Sequence, residues 1–340
     1  MRKVSIQDIA RELGLSRNTV SNALSNSESV SFDTKQRIFK KAIEMGYKKL
    51  NPELRGLVEE VIPEKTRNIA VLAHRDIADF WNRIIMGISD ELNKNNHNLL
   101  FNFVDKKDEE SGSIPASILN KEVDGIILLS VFNKDYVHKL LETKMPIVFL
   151  DTYIDTFEEA LLGDIVLVEG ESSCYQLTKR LVEKGKKRIG FVGDIHYCRS
   201  IFDRWRGYTR AIFDADIQLD KSICITEAVP VHYYKFDEVA SGLEKIKVMP
   251  DAFVCANDDI AIYVITNLRQ KGIKVPEQIE VTGFDNRKDT LFVDPTLNTV
   301  HVYNEQVGIR LVQELMWRLN NPDMPYETIM VNTKIVLRDF

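Results

Sequence analysis

The pattern of hydrophobic positions near the start of the chain predicts two short helices separated by a turn. A first apolar face is formed by residues three or four positions apart, namely Ile6, Ile9, Ala10 and Leu13. A second face follows after a few residues, at Val20, Ala23 and Leu24. Gly14, between the two, permits the positive φ that a sharp helix exit needs. We therefore expect a helix, a tight turn and a second helix.

Small polar residues stand where each of these helices should begin. Ser5 and Asp8 have the spacing of a capping-box-like pair, and Ser16 can cap the second helix. Ala10 is small enough to let two helices cross steeply, while Val20 fills the gap beneath it. This combination is typical of a helix-turn-helix, whose second helix lies in the major groove of DNA. An ordinary helical hairpin is the alternative.

The second predicted helix carries side chains that suit DNA recognition. Arg17, Asn18 and Asn22 offer guanidinium or amide groups that pair with base edges. Hydroxyl side chains and helix N-termini often bond phosphates. The candidate DNA-binding residues of this region are Ser5, Ser16, Arg17, Asn18, Thr19, Ser21, Asn22 and Asn26.

A third helix and a linker complete the predicted N-terminal region. The helix is expected over 33–45, where it is capped by Ser31 and stopped by Gly46. From 48 to 66 the chain is polar and charged, with Pro52 and Pro63 as breakers. We therefore predict an all-α helix-turn-helix DNA-binding domain over 1–47 and a linker over 48–66.

Beyond this linker, short apolar runs alternate with helical stretches. The predicted strands are 69–73, 99–104, 125–130 and 147–150, and then 165–168, 188–192, 223–226, 252–256 and 280–283. The predicted helices between them lie near 81–95, 108–119, 133–144, 172–184, 203–214, 234–246 and 258–271. Such alternation predicts parallel sheets with helices on both faces, here as two doubly wound α/β lobes. Ligands of such folds bind at the carboxyl ends of the strands.

Composition and charge narrow the class of protein. Hydrophobic residues make up 44% of the 340 residues, and no run approaches a membrane span. No secretory signal is recognisable, so we expect a soluble cytoplasmic protein. Residues 1–57 hold 11 Lys and Arg against 6 Asp and Glu, whereas the whole chain has a net charge of −6. A basic head on an acidic body suits a protein that touches nucleic acid with one end.

Motifs for catalysis and metal binding are missing. The four cysteines are far apart, and the six histidines show no HxxxH or HExxH spacing, so we expect no zinc site and no disulfide framework. The sequence contains no GxxxxGK[ST], GxSxG or GxGxxG motif. We therefore predict no enzymatic activity, no catalytic residues and no cofactor.

Along nearly its full length the chain resembles the LacI/GalR (lactose-repressor) family of transcriptional regulators. The matching residues are Ile9-Ala10, Gly14-Leu15-Ser16, Thr19-Val20-Ser21, Arg37-Ile38 and Gly46-Tyr47 in the head, and Asp124-Gly125-Ile126-Ile127, Arg204-Trp205-Arg206-Gly207-Tyr208, Ala256-Asn257-Asp258, Gly283-Phe284-Asp285 and Pro295-Thr296-Leu297-Asn298-Thr299-Val300 in the body. The resemblance implies a homodimer that binds a pseudo-palindromic operator on double-stranded DNA. It also implies a periplasmic-binding-protein-like body over 67–340, with a small effector in the cleft between its lobes.

The resemblance further implies that the chain crosses between the lobes three times. Lobe one would comprise 67–160 and 297–323, and lobe two 161–296 and 324–340. In this family a short hinge helix inserts a leucine into the minor groove. The matching residues here would be Leu54, Arg55 and Leu57.

Several positions depart from the family pattern. Lys49-Leu50 replaces Pro-Asn before the hinge helix, so a plain flexible linker is the alternative there. Asn22 stands where arginine is usual, which predicts an atypical half-site because asparagine favours adenine and arginine favours guanine. Glu169-Gly170 replaces Asp-Asn at the start of lobe two, which puts the local helix cap in doubt.

Effector-binding candidates follow from the same resemblance. Phe80 and Trp81 could stack on the apolar face of a sugar, or simply be core residues. Arg204 matches the effector-binding arginine, whose guanidinium suits vicinal hydroxyls or a carboxylate. The full candidate set is Phe80, Trp81, Ser130, Asp151, Arg204, Asn257 and Asp285.

Together these features predict a sequence-specific transcriptional regulator that acts as a repressor and is controlled by a sugar or sugar phosphate. Control by a protein partner of the phosphocarrier type, or by a purine-like corepressor, remains open. An exported sugar-binding protein is disfavoured by the N-terminal head.

Overall fold

The computed structural model describes residues 4–25, 27, 29–47, 66–74, 79–154, 162–229 and 234–338. The chain divides into two compact units after Thr66. The predicted DNA-binding Asn26 and the hinge-helix residues Leu54, Arg55 and Leu57 lie outside the described residues.

The N-terminal unit contains three helices, α1 (Ile6–Leu13), α2 (Arg17–Leu24) and α3 (Phe32–Glu44). Ser5 and Asp8 form the expected capping box, with Ser5 N donating to Asp8 Oδ2 at 2.9 Å. Gly14 ends α1 in the left-handed conformation, with φ of 67°.

The core of this unit is formed by the predicted apolar faces of the three helices. Its buried members are Ile9, Ala10, Val20, Ala23, Val30, Ile38 and Ala42. Ala10 and Val20 are almost fully enclosed, as a steep crossing of α1 and α2 requires. The tight turn and the two crossing helices confirm the helix-turn-helix prediction.

The larger unit begins with a sheet of six described parallel strands, which defines lobe one. Its strands are β1 (Asn68–His74), β2 (Asn98–Val104), β3 (Gly125–Leu129), β4 (Ile147–Leu150), β5 (Asp164–Val168) and β10 (Thr328–Val331). The order across the sheet is β10-β5-β4-β3-β1-β2. The central strands are buried on both faces because helices cover the sheet on each side.

The helices of lobe one are α4 (Asp79–Lys94), α5 (Lys106–Ser111), α6 (Ala116–Leu119), α7 (Lys134–Leu141) and α13 (Asn304–Asn320). The single helix predicted over 108–119 is wrong. Gly112 ends α5 in the left-handed conformation and Pro115 precedes α6, so the segment forms two short helices.

Lobe two is built on a shorter parallel sheet in the order β6-β7-β8, with strands β6 (Ile189–Val192), β7 (Ala252–Cys255) and β8 (Glu280–Thr282). An antiparallel pair, β9 (Thr299–His301) and β11 (Lys334–Val336), continues it, and β9 bridges to the end of β8. The strand predicted over 223–226 is wrong. A turn of 3₁₀ helix, Lys221–Ile223, occupies its start, and only Ile225 forms a bridge, to Val192.

The helices of lobe two are α8 (Glu171–Glu183), α9 (Arg199–Asp214), α10 (Phe236–Lys245), α11 (Asp258–Gln270) and α12 (Thr290–Val293). Helix α9 begins four residues earlier than the predicted 203–214. This earlier start places Arg204 in the second turn, where the helix is already held by its neighbours.

The predicted boundaries between the lobes are corrected by strand pairing. Strand β5, assigned to lobe two, pairs with β4 in lobe one, and β10 pairs in parallel with β5. Strand β9, assigned to lobe one, pairs with β11 in lobe two. The described chain therefore crosses between the lobes at 169–170, 302–303 and 332–333.

Helices within each lobe approach very closely at glycines. A Cβ on Gly87 of α4 would lie 2.1 Å from the carbonyl oxygen of Glu305, and one on Gly308 of α13 would lie 2.1 Å from that of Ile84. Gly207 of α9 makes the same kind of contact in lobe two. These residues are glycine because no other side chain fits between the helix backbones.

A buried ion pair connects α13 to the first residue of β5 in lobe one. Arg318 of α13 donates to both carboxylate oxygens of Asp164, at 2.7 and 2.8 Å. The same guanidinium donates to the backbone oxygens of Met324 and Pro325, which precede β10. Both charged groups are thus fully bonded, as a buried pair must be.

No helix among the described residues is long and apolar enough to cross a membrane.

Candidate functional site

The outer surface of α2 carries the predicted base-reading side chains. Arg17, Asn18 and Asn22 are exposed, and their side chains make no hydrogen bond with any residue that the structure describes. They are therefore available for an external partner.

The hydroxyl groups of Ser5, Ser16 and Thr19, in contrast, already form hydrogen bonds within the N-terminal unit. Ser16 Oγ accepts from Thr19 N at 3.0 Å and lies 2.8 Å from Thr19 Oγ1, so this pair caps the helix. Ser5 is bonded to Asp8, whereas Ser21 is exposed. Ser16 and Thr19 are thus placed to fix the start of α2, and whichever of the two hydroxyl groups accepts within this pair can still donate to a phosphate oxygen.

A cleft in the larger unit lies at the carboxyl ends of the strands of both lobes. Its empty volume is about 770 Å³, including the space at its mouth. This is within the range of small-molecule sites. The cleft is lined by Phe80, Trp81, Phe132, Leu150, Asp151, Val168, Tyr197, Cys198, Ser200, Ile201, Arg204, Asn257, Asp259 and Asp285. Six of the seven predicted effector residues are among them.

The seventh predicted residue, Ser130, does not line the cleft. It is buried, and its hydroxyl accepts from the backbone N–H of His74 at 3.2 Å. Ser130 therefore joins the ends of β3 and β1, and the prediction that it binds the effector is not supported by its position.

Arg204 is buried in the wall formed by lobe two. Its Nη1 donates to the carbonyl oxygen of Ala256 at 2.6 Å, and its guanidinium carbon lies 3.7 Å from the centre of the Phe284 ring. Its Nε is buried and has no hydrogen-bond partner among the described residues. The guanidinium is therefore fixed in place, and its Nε–H is a buried donor that no described residue uses.

Asp285, which follows β8, is strained and deeply buried. Its backbone φ is 113°, a value that residues other than glycine rarely adopt. Its Oδ1 has no partner among the described residues. Burial raises the pKa of this carboxyl well above its usual range, and the nearby Arg204 only partly offsets the effect.

Asp258, the first residue of α11, forms hydrogen bonds that hold the same wall together. Its carboxylate accepts from Thr299 Oγ1 at 2.7 Å and from the backbone N–H of Arg287 at 2.7 Å. Burial raises the pKa of Asp258 to about 7, although these hydrogen bonds lower it. Gly283 makes room for it, since a Cβ there would lie 2.1 Å from Asp258 Oδ1.

Two further cleft residues have structural bonds. Asn257 caps α11 by accepting from the backbone N–H of Ile260 at 2.9 Å, so its amide nitrogen is the group left for a ligand. Asp259 forms an ion pair with Arg287, which also pairs with Asp289. Asp259 is therefore neutralised within the protein.

Asp151 joins the two lobes across the cleft. Its Oδ2 accepts from Ser200 Oγ at 2.5 Å, and its Oδ1 accepts from the backbone N–H groups of Thr152 and Ser200 at 2.8 and 3.1 Å. Asp151 belongs to lobe one, whereas Ser200 lies in the first turn of α9. The carboxylate is thus largely occupied, so its role as an effector ligand stays a prediction.

Aromatic side chains line the cleft in two edge-to-face pairs. The rings of Phe80 and Trp81 lie 5.2 Å apart, and those of Phe132 and Tyr197 lie 5.1 Å apart. The second pair, which sequence reasoning missed, brings together one residue from each lobe. Its members are 65 positions apart in the sequence, so no local pattern indicates their contact.

Gly170 and Glu169, the unusual pair at the start of lobe two, both have structural roles. A Cβ on Gly170 would lie 2.9 Å from Arg204 Cγ, so the glycine makes room for the stem of this arginine. Glu169 Oε1 accepts from the backbone N–H of Ser172 at 2.5 Å. The helix cap put in doubt by the sequence is therefore supplied by Glu169.

Comparisons with known proteins agree with both halves of this arrangement. Residues 5–49 match the model of bacterial regulatory proteins of the lacI family, and residues 178–339 match a periplasmic binding protein-like domain. The ribose operon repressor of Haemophilus influenzae is 23% identical over 338 residues, which cover 98% of each chain. The repressor PurR of Mannheimia succiniciproducens is 25% identical over 341 residues, which cover 98% of this chain and 97% of PurR.

Solved structures show the same fold. The complex of the transcriptional regulator CelR with cellobiose superposes with a TM-score of 0.71 at 21% identity and covers 99% of each chain. The lac repressor dimer bound to its operator and an anti-inducer superposes with a TM-score of 0.68 at 18% identity, over 99% of this chain and 98% of that one.

An N-terminal helix-turn-helix followed by a two-lobed ligand-binding body defines a DNA-binding transcriptional repressor. The chain belongs to the LacI family of bacterial regulators. Its relatives are regulators, which confirms the prediction that it is not an enzyme.

Proposed function

We propose that this repressor is controlled by an uncharged, polyhydroxylated effector, such as an unphosphorylated sugar, bound in the cleft. The observation that carries the proposal is that Arg204 Nε and Asp285 Oδ1, on two residues that line the cleft, are buried and have no hydrogen-bond partner among the described residues. Unpaired buried polar groups are costly. Hydroxyl groups of a ligand can accept from the first atom and donate to the second.

The aromatic residues support a sugar rather than a purely polar ligand. Phe80, Trp81, Phe132 and Tyr197 present ring edges and faces around the cleft. The carbon-bound hydrogens of a sugar ring form an apolar surface that packs on such rings. A purine can stack there as well, and this is the second candidate class.

The charge of the lining weighs against a phosphorylated effector. Arg204 is the one cationic side chain of this lining, and it already donates to the carbonyl oxygen of Ala256. Asp259 is paired with Arg287, and the raised pKa of Asp285 favours its neutral form, so neither needs a cation from the ligand. A phosphate dianion would therefore have a single cation to offset the desolvation of its charge.

The names of a relative and of a structural neighbour also favour a sugar. One is a ribose operon repressor, and a structural neighbour binds cellobiose, whereas another relative is the repressor PurR. The conformational link would be lobe closure, because an effector can shift operator affinity only by binding two conformations unequally.

The effector is tested by thermal unfolding of the full-length protein with D-ribose, D-glucose, cellobiose, ribose 5-phosphate, glucose 6-phosphate or hypoxanthine. A ligand at about 100 times its Kd should stabilise the folded state by about 2.7 kcal/mol. A rise in Tm with a neutral sugar that is abolished in Asp285→Ala, which removes the acceptor oxygen, supports the proposal. A rise only with the phosphates or hypoxanthine contradicts it.

We also propose that the protein binds its operator as a homodimer. Met86 on α4 and Phe103 on the edge strand β2 are about half exposed, and Phe292 on α12 is 92% exposed. Apolar side chains this exposed leave water when a second copy covers them, so these are the residues that we place at the interface. Sedimentation of Phe292→Ser should show dissociation, whereas Phe213→Ser, on α9, is the matched exposed control. Equal behaviour of the two variants would contradict this interface.

Operator recognition is tested by selecting bound duplexes from a random pool with the full-length protein. Enrichment of a two-fold symmetric site supports a dimeric reader. If none is enriched, the selection is repeated with a metabolite extract and then with lysate proteins. Enrichment only with lysate proteins would favour a protein partner as the controlling element.

A further inference from the structure

Two of the three crossings between the lobes leave lobe one side by side. Strands β5 and β10 are parallel neighbours, with Val168 paired to Val331, so both chains exit at the same edge of the sheet. The backbone N–H of Glu169 continues this ladder by donating to the carbonyl oxygen of Val331 at 2.9 Å. Segment 169–170 then leads into α8, and segment 332–333 leads into β11.

The side chain of Glu169 bonds to both of these segments. Its Oε2 accepts from Ser173 Oγ at 2.8 Å and lies 3.3 Å from Thr333 Oγ1. The two hydroxyl groups are themselves 2.7 Å apart. Thr333 Oγ1 also lies 3.3 Å from the carbonyl oxygen of Glu169. One carboxylate therefore links the start of α8 to the last crossing.

We propose that Glu169, Ser173 and Thr333 form a hinge clamp that makes these two crossings move as one unit and so sets the resting angle between the lobes. Hinges are a few residues at the ends of elements that absorb changes in φ and ψ. Two crossings that are bonded together have fewer independent ways to bend than two that are not. Glu169 and Thr333 are thus positioning residues, which act on the cleft through the lobes.

The length of the Glu169 side chain is what permits this link. Glu169 precedes the N-cap residue Gly170, yet its carboxylate reaches both the N–H of Ser172 and the hydroxyl of Thr333. The hinge clamp rests on the proposed function at one step only, namely that a change in the angle between the lobes changes the affinity for the operator.

Selected variants separate the clamp from simple helix capping. Thr333→Val removes the hydroxyl and preserves the shape, and it leaves the bond from Ser172 N to Glu169 intact. Glu169→Gln keeps an oxygen for Ser172 N, and its amide can donate to Thr333, so it should rescue the clamp. Glu169→Ala removes both the cap and the clamp. Thr328→Val, on the exposed edge strand β10, is the matched control.

The test is a distance distribution from pulsed electron spin resonance on the full-length protein without ligand or DNA. Spin labels are placed at Glu142→Cys, after α7 in lobe one, and Glu244→Cys, on α10 in lobe two, both exposed. Protein carrying only its native cysteines serves as the labelling blank.

We expect Thr333→Val and Glu169→Ala to broaden the distribution of inter-label distances, whereas Glu169→Gln and Thr328→Val match the unsubstituted protein. Thermal unfolding of each variant shows that it is folded. A Thr333→Val distribution equal to that of Thr328→Val would overturn the clamp. This readout needs no effector, so it is independent of whether a sugar binds in the cleft.

Discussion

The candidate DNA-binding surface and the candidate effector cleft hold their polar groups in opposite physical states. Arg17, Asn18 and Asn22 are exposed and already hydrated before any partner arrives. Arg204 and Asp285 are buried, and each has a buried polar atom that no residue in the described part of the chain bonds. The head binds by exchanging water for DNA, whereas the cleft holds groups that are unsatisfied until something fills it.

This difference indicates that function and stability are coupled in the cleft and separate on the DNA-binding surface. Substitutions on an exposed helix face usually change stability little. Strained and poorly solvated groups lower stability and persist where function requires them. We therefore expect the head to lose binding at constant stability, and the cleft to gain stability when its function is removed.

The largest expected effect is that of Asp285→Asn on stability at high pH. Because the pKa of Asp285 is raised, the folded protein holds a proton that the unfolded chain releases above about pH 4. The free energy of unfolding of the unsubstituted protein therefore falls as pH rises from there through the folded-state pKa. The neutral amide removes this contribution, by about 1.4 kcal/mol for each unit of the shift.

Urea unfolding of both proteins at a series of pH values measures this difference. Asp258, whose pKa is raised to about 7, contributes in the same direction but is present in both proteins. The advantage of Asp285→Asn should therefore grow with pH. Parallel curves would show that Asp285 is not the strained acid that its burial indicates.

Arg17→Ala should weaken DNA binding by the head and leave its stability unchanged. Loss of a guanidinium that pairs with a base costs about 1–3 kcal/mol of binding and relaxes the preference at that position. The Tm should not change, because Arg17 is exposed and makes no bond with described residues. Selection of duplexes and thermal unfolding check the two halves; an unchanged base preference would remove Arg17 from the recognition surface.

Gly170→Ala tests whether the backbone behind Arg204 positions this arginine. The added methyl group would lie 2.9 Å from Arg204 Cγ, so the stem must move. We expect weaker binding of whichever sugar stabilises the unsubstituted protein, by about tenfold or 1.4 kcal/mol. Calorimetric titration measures it, with Thr328→Val, on the exposed strand β10, as a control outside the lining of the cleft. Unchanged affinity would mean that Arg204 adjusts freely.

Asn22→Arg should have the smallest effect on affinity and a clear effect on sequence preference. An amide pairs with adenine, whereas a guanidinium pairs with guanine. We expect a change from adenine to guanine at one position of each half-site in the selected duplexes. Retention of adenine would show that Asn22 does not contact this base.

A site can be predicted from the sequence when its residues lie close together along the chain. The face of α2 depends on residues within eight positions, so Arg17, Asn18 and Asn22 could be placed on one surface from spacing alone. In the cleft, the end of a predicted strand indicated Asp151 and the family resemblance indicated Asp285. Neither indicated Phe132 or Tyr197, which come together only where the two lobes meet.

Strand order is the other feature that local patterns do not determine. Buried strands such as β5 look alike whichever sheet they join, so its assignment to lobe two was wrong. The half-exposed strand β10 gave too weak a pattern to be predicted at all. Ser130 was predicted to bind the effector, whereas its hydroxyl accepts from the backbone of the neighbouring strand.

The placement of β10 and β11 has a consequence for synthesis on the ribosome. These consecutive strands pair with different lobes, so each lobe lacks a strand until nearly all of the described chain has been made. Domains generally fold as they emerge. The head can therefore fold early, whereas the two lobes, and with them the effector cleft and the proposed dimer interface, are completed together.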